Sequence, residues 1–345
     1  MNPYVAYDAV STKVKSKKGR LLDKKDWDNI LECTSVEQVT NLLKDRPELA
    51  KIIKEADSDH IHRDDLETIL GRFRVSEIED ILHYFSGPYK SFLQTVLFEF
   101  EIADLILIIR KVAQNESMDN IKKHFIHSEN YSELSYDKLI ASSNITDLIE
   151  NLKDSSYYSK FKSLSNEDII KREFHIEMKL QIHLYNLLLK RSKKLSASDM
   201  KEVEDILGVK IDFANVQWIY RAMKYFNISP EEILIYCLPG GKRISYPRLK
   251  KLCYAKSIEE VKSLSKSYLK YNIFTSPDDS EIDIKIDSYI YNYLDKKDMN
   301  KKTIGTALAY FYMNGIIVKD LVAVTEGIKY QLPKEKLKKY LVHDI

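Results

Sequence analysis

A helical phrase recurs three times along this 345-residue chain at the interval of a small domain, and that recurrence narrows the possible folds more than any single residue does. The phrase runs Glu101-Ile102-Ala103-Asp104-Leu105-Ile106-Leu107-Ile108. It returns as DFANVQWI from Asp212 to Ile219 and again as IVKDLVAV from Ile317 to Val324. Aligned on Asp104, Asn215 and Asp320, the copies lie 111 and 105 residues apart, and an apolar residue follows each anchor at one place and at four, which is helical spacing. No copy contains a catalytic motif.

A second phrase travels with the first. It reads ILECTSV from Ile30 to Val36, LIASSNI from Leu139 to Ile145 and LCYAKSI from Leu252 to Ile258, at intervals of 109 and 113 residues. Ser35, Asn144 and Ser257 precede the aligned apolar residue, and Gln38, Asp147 and Glu260 follow the cap by three places, in or close to a capping box. Isolated phrases of this kind arise by chance in any helical chain; two phrases in the same order three times point to triplication. The period is too long for a solenoid of thin units, so the expectation is three small helical domains spanning residues 1–115, 116–236 and 237–345.

Only 9 glycines and 8 prolines punctuate the chain, and apolar residues fall at helical spacing over long stretches, so the fold class is all-α. Lys and Arg total 54 against 52 Asp and Glu, a formal charge of +2, and no global field is available to hold a polyanion such as nucleic acid. Cys33, Cys237 and Cys253 form no CxxC pair and cannot all be bridged, which suits a reducing compartment. No amino-terminal targeting signal is legible. The most apolar stretch, Phe92 to Ile109, carries Glu99, Glu101 and Asp104, each costly at a bilayer centre, so the chain is not expected to cross a membrane. A peripheral position through protein contacts stays open.

Local signals place the helices. Ser35 caps one through Leu43, Pro47 starts another, a run from Asp64 to Phe85 stops at Ser86-Gly87-Pro88, and Tyr89 to about Val112 follows. Asn166 to Lys190 is amphipathic and Lys194 to Asp199 breaks it. Ser229-Pro230 with Glu232 opens a helix, and Leu238-Pro239-Gly240-Gly241 is a turn. The closing helices are expected over Ile282–Leu294, Thr303–Met313, Gly315–Tyr330 and Lys334–Leu341.

Chemistry is scarce. Gly240-Gly241-Lys242 resembles part of a phosphate loop, but Tyr236 stands where the first Gly is required and Arg243 where Ser or Thr is required, so a turn is the reading. Asp57, Asp59, His60, His62, Asp64 and Asp65 have metal-ligand side chains. His60 and His62 lie about 200° apart on a helix, which favours a solvated loop and cap over a metal site. No HExxH, GxSxG or GxGxxG sequence occurs. Catalytic, cofactor and metal residues are therefore expected to be none. Lys13, Lys15, Lys17, Lys18, Arg20, Lys24 and Lys25 form a basic amino-terminal run, read either as a solvated helix face or as a surface for an acidic protein or anionic headgroups.

Val324-Thr325-Glu326-Gly327-Ile328-Lys329-Tyr330, continued by Gln331-Leu332-Pro333-Lys334-Glu335, resembles the carboxyl-terminal signature of the C subunit of V/A-type rotary ATPases, known in eukaryotes as the d subunit. Three other places agree: Tyr4-Val5-Ala6-Tyr7 with Ser11-Thr12-Lys13-Val14-Lys15 and Leu21-Leu22 at the start, Leu238-Pro239-Gly240-Gly241, and Asp212 to Val216 with Ile219-Tyr220-Arg221-Ala222. The similarity runs over essentially the whole chain. Lys13 and Lys15 stand where arginines are usual, and Ile317 where the third copy usually carries Glu.

The resemblance implies a funnel-like socket of three similar domains about a pseudo-threefold axis. It also implies a non-catalytic rotor subunit on the cytoplasmic face of the membrane, joining the central shaft to the membrane proteolipid ring for ATP-linked H⁺ or Na⁺ transport. On that reading Asp104, Asn215, Asp320, Lys13, Lys15, Lys17 and Lys18 are candidate shaft or ring contacts, although the three anchors serve equally well as helix caps or internal contacts. A helical-repeat adaptor of a soluble complex is the alternative. An enzyme using the Asp57 to Asp65 cluster is a more remote one.

Overall fold

A computed structural model describes residues 3–46, 63–162, 173–226, 228–297, 303–339 and 341–342, with 49, 50 and 53. Every regular element among them is helical. In chain order these are α1 (Pro3–Lys18), α2 (Lys24–Leu31), α3 (Val36–Lys44), α4 (Arg63–Leu82), α5 (Gly87–Ala113), a 3₁₀ turn (Ile121–His124), α6 (Tyr136–Ile140), α7 (Ile145–Asn151) and α8 (Tyr158–Phe161). Then follow α9 (Glu173–Ser192), α10 (Ala197–Arg221) with a π turn (Ala222–Phe226), α11 (Pro230–Ile235), α12 (Tyr246–Cys253), α13 (Ile258–Leu269), α14 (Ser280–Asp295), α15 (Ile304–Lys329) and α16 (Lys334–Lys338). Pro47 and the Asp57 to His62 part of the acidic cluster lie outside the described residues.

The capping signals form as the local chemistry requires. Ser35 Oγ accepts from the Gln38 amide at 3.2 Å, Asn144 Oδ1 from Asp147 at 3.0 Å, and Ser257 Oγ from Glu260 at 3.1 Å. Ser229 Oγ does the same for the Glu232 amide ahead of α11. Each cap satisfies one of the orphan donors at a helix start.

The chain forms two compact units, one of residues 1–42 with 189–345 and one of residues 43–188. In the first, α15 is the central element and packs on α1, α10, α14 and α16. The partner faces follow from helical periodicity: α14 buries Ile282, Ile286, Ile290 and Leu294 at successive four-residue steps, and α1 turns Val10, Val14 and Lys17 inward. In the second unit α4 packs on α5, and α5 also receives α7.

The expected break between Met313 and Gly315 does not occur. Asn314 and Gly315 lie inside one 26-residue helix, buried along with most of its length. Packing on all sides outweighs the cost of about 1 kcal/mol that glycine brings to a helix interior. By length and composition α15 is apolar enough to cross a membrane, yet 83% of its most apolar window is buried inside the protein, which makes it a core helix.

The carboxyl-terminal signature has a packing explanation. A Cβ on Gly327 would overlap the Leu337 side chain, and the Gly327 carbonyl accepts from the Leu332 amide at 2.9 Å. Glycine is therefore what lets α16 lie on the end of α15. Gly327→Ala is expected to lower the stability of the chain by about 1–3 kcal/mol through overpacking. In a double-mutant cycle by urea denaturation, Leu337→Ala is expected to relieve much of that loss; strictly additive effects would refute the contact.

Candidate functional site

The three repeated anchors all point inward and all do the same thing. Asp104, Asn215 and Asp320 are 1%, 2% and 3% exposed. Asp104 on α5 accepts the Ile126 amide at Oδ1 (2.8 Å) and the His127 amide at Oδ2 (2.9 Å), with the Tyr136 hydroxyl donating to Oδ2 at 3.1 Å. Asn215 on α10 accepts the Leu238 amide at Oδ1 (2.7 Å) and donates from Nδ2 to the Leu238 carbonyl (2.8 Å). Asp320 on α15 accepts the Val342 amide at Oδ2 (3.1 Å). In every copy a polar side chain on a long helix holds the backbone 22 or 23 residues further on.

Two copies carry a second latch one turn earlier. Glu101 Oε2 accepts from Ser132 Oγ at 2.5 Å and from the Glu133 amide at 2.8 Å. Asp212 accepts the Arg243 amide at 2.7 Å and the Ile244 amide at 3.0 Å. The held residues lie 31 and 32 places on in both cases. In the third copy this position is Ile317, which is buried and apolar. The recurring acid three places before the anchor was visible in the sequence, but its role was not, because its partners are remote along the chain.

Asp212 also accounts for the glycine pair of the turn. A Cβ on Gly241 would collide with the Asp212 carboxylate, and Gly240 has φ +91°, in the left-handed region that favours glycine. The amides of Arg243 and Ile244, which a phosphate loop would present to its ligand, are occupied by the protein's own carboxylate. Lys242 pairs with Asp205 at 2.9 Å and donates to the Tyr293 hydroxyl at 3.0 Å. The turn is a structural clasp.

The four candidate lysines separate along α1. Lys15 is exposed and Lys13 half-buried, whereas Lys17 is turned into the protein and Lys18 donates to Asp295 at 2.8 Å. They do not form one uniform basic face. Among the described residues, no group of three or more His, Cys, Asp or Glu side chains is gathered in a way that could hold a metal ion.

Burial sets the electrostatics around Asp104. It pushes the Asp104 carboxyl up to about 6, against the opposing pull of its amide and hydroxyl donors, and it raises Glu101 as well. His127, 4% exposed, is pushed down to about 4 by the same burial and stays neutral in the fold. The two shifts act oppositely. Lowering the pH from 6.5 toward 4 protonates His127 only in the unfolded chain and costs stability; lowering it from 6 toward 3.8 protonates Asp104 first in the folded chain and adds stability.

The arrangement defines a class of protein: an all-α protein in which the recurring polar residues of the long helices bind backbone distant in the sequence. The family follows from comparison. The sequence profile of the ATP synthase (C/AC39) subunit matches residues 10–340, and the chain belongs to that family. It is similar to the C subunit of the A-type ATP synthase of Archaeoglobus fulgidus, 24% identical over 263 residues covering 74% of this chain and 73% of that protein. The proteins of the same name from Methanosphaera stadtmanae (23% identical, covering 98% of this chain and 88% of the relative) and Methanobrevibacter smithii (25%, covering 97% and 88%) align over almost the full length.

Asp104→Asn replaces one of the two acceptor oxygens with a donor that faces an amide, and is expected to cost about 1–3 kcal/mol at neutral pH. Because it also removes the group that gains a proton on folding, its deficit relative to the parent chain is expected to widen by about 2–3 kcal/mol as the pH falls from 6 to 4. Urea midpoints across that range measure both; a deficit that stays constant with pH would show that Asp104 does not titrate in this window.

Proposed function

We propose that this chain is a non-catalytic rotor subunit of an A/V-type ATP synthase, joining the central shaft to the membrane proteolipid ring and so coupling ATP chemistry to H⁺ or Na⁺ movement. The observation that carries this reading is the family match over residues 10–340, supported by relatives named as the C subunit of A-type ATP synthases. On this reading the protein is peripheral to the membrane, on its cytoplasmic side, and is held there by protein contacts. The segments 1–115, 116–236 and 237–345 are then the three repeats of a funnel-like socket. The recurrence of the same latch from Asp104, Asn215 and Asp320 favours that triplication.

A protein that passes torque needs stiffness more than chemistry. Exposed ion pairs supply little of it, since each is worth about 0–1 kcal/mol. Buried side-chain to backbone bonds supply more, because leaving their partners unsatisfied costs about 1–3 kcal/mol apiece. Asp104, Asn215 and Asp320 therefore serve the shaft and ring interfaces from within, by fixing the chain segments that each repeat presents. Among the four candidate lysines, exposed Lys15 and half-buried Lys13 are assigned to an acidic partner surface, whereas Lys17 is buried and Lys18 pairs with Asp295 within its own unit.

Affinity purification of this chain from detergent-solubilised membranes tests the reading. Recovery of the ring proteolipid with shaft and catalytic subunits is expected, with ATPase activity in the eluate and none in the isolated chain. A complex of soluble proteins lacking the ring would overturn it in favour of a helical adaptor. Lys15→Glu is expected to reduce recovery of partner subunits severalfold while leaving the thermal midpoint of the isolated chain within about 2 °C, as for an exposed surface change. Unchanged recovery would remove Lys15 from the interface.

A further inference from the structure

Cys237 and Cys253 stand 16 positions apart in sequence, yet their Sγ atoms approach to 3.9 Å. Cys237 follows the last turn of α11 and Cys253 ends α12, two helices packed on each other. The backbone beside Cys237 is held from outside the pair, and the residue beside Cys253 is buried in the core. Leu238, next to Cys237, is bound through its amide and its carbonyl by Asn215, and Leu252, next to Cys253, is fully buried. Cys237 is a half-buried residue whose thiol also lies 3.4 Å from the Ile233 carbonyl of α11, whereas Cys253 is fully buried, so Cys237 is the one a reagent reaches first. Cys33 takes no part in this arrangement, its thiol donating to the Asn29 carbonyl of its own helix at 3.5 Å.

We infer that Cys237 and Cys253 are a dithiol site that closes reversibly to a disulfide when it meets a small-molecule disulfide oxidant. A disulfide needs its sulfurs about 2.0 Å apart. From 3.9 Å the remaining approach is about 2 Å. The Cys237 thiolate attacks one sulfur of the oxidant, forming a mixed disulfide and releasing one small thiol. The Cys253 thiolate then attacks Cys237 Sγ and releases the second. The two cysteines are oxidised by two electrons, the oxidant is reduced to two thiols, and the two cysteine protons end on them. The neighbouring thiol and burial raise the Cys237 thiol, so the exchange is slow at neutral pH and quickens by about tenfold per pH unit as thiolate forms. The closed bond pins α11 to α12 across the Leu238–Gly241 turn. Nothing in this inference depends on the rotor reading.

The test uses the full chain, reduced, freed of reductant and exposed to oxidised glutathione at mildly alkaline pH under chelator. The intact protein is expected to lose the mass of two hydrogens, and its alkylatable thiols in denaturant to fall from three to one. A single linked peptide pair should contain Cys237 and Cys253, and reductant should restore all of this. Cys33→Ser is expected to close at the parent rate, and Cys253→Ser to stop at a stable glutathione adduct on Cys237. Three thiols remaining, adducts without a 237–253 link, or a link through Cys33 would each sink the proposal. Should Cys253→Ser fail to fold, the peptide map of the parent chain and of Cys33→Ser still decides it.

Discussion

Polar side chains buried on long helices, each bound to backbone far along the chain, are what the rest of this structure depends on. Apolar contacts are strong but undirected, and a stripe of Ile and Leu tolerates sliding by a turn. A carboxylate bound to two successive amides does not. Asp104 with Ile126 and His127, Asp212 with Arg243 and Ile244, and Asn215 with both polar atoms of Leu238 each set one register between a helix and the connection that returns to it. Burial makes these bonds consequential: an amide left without its acceptor inside the protein has no water to replace it.

Around these latches the packing is adjusted at the level of single atoms. Gly241 leaves room for the Asp212 carboxylate and Gly327 leaves room for Leu337, so two glycines of short sequence signatures turn out to be steric permissions. The cost appears in the electrostatics. Asp104 is held charged against burial that favours its neutral form, and His127 is held neutral beside it. Recurring polar residues bound to the protein's own backbone are thus a feature of this member of the ATP synthase (C/AC39) subunit family.

The dithiol at Cys237 and Cys253 lies against one of these latches, since Asn215 holds the residue next to Cys237. That placement explains why two cysteines without motif spacing come together: the same bonds that fix the turn bring the ends of α11 and α12 to one place.

Sequence by itself determined what depends on neighbours within about one helical turn. The caps at Ser35, Asn144, Ser257 and Ser229, the all-helical class, the recurrence of the anchors and the turn at Leu238 to Gly241 were legible, because propensity, capping and periodicity are short-range. Tertiary structure decided the rest. It merged two expected helices into α15, because burial of Asn314 and Gly315 on all sides overrides local propensity. It divided the basic run of α1 into exposed Lys15 and inward Lys17, and it gave Asp104, Asn215 and Asp320 partners 22 or 23 residues away. Those outcomes rest on contacts between residues distant in the chain, which no local pattern encodes and only the folded packing brings within hydrogen-bonding distance.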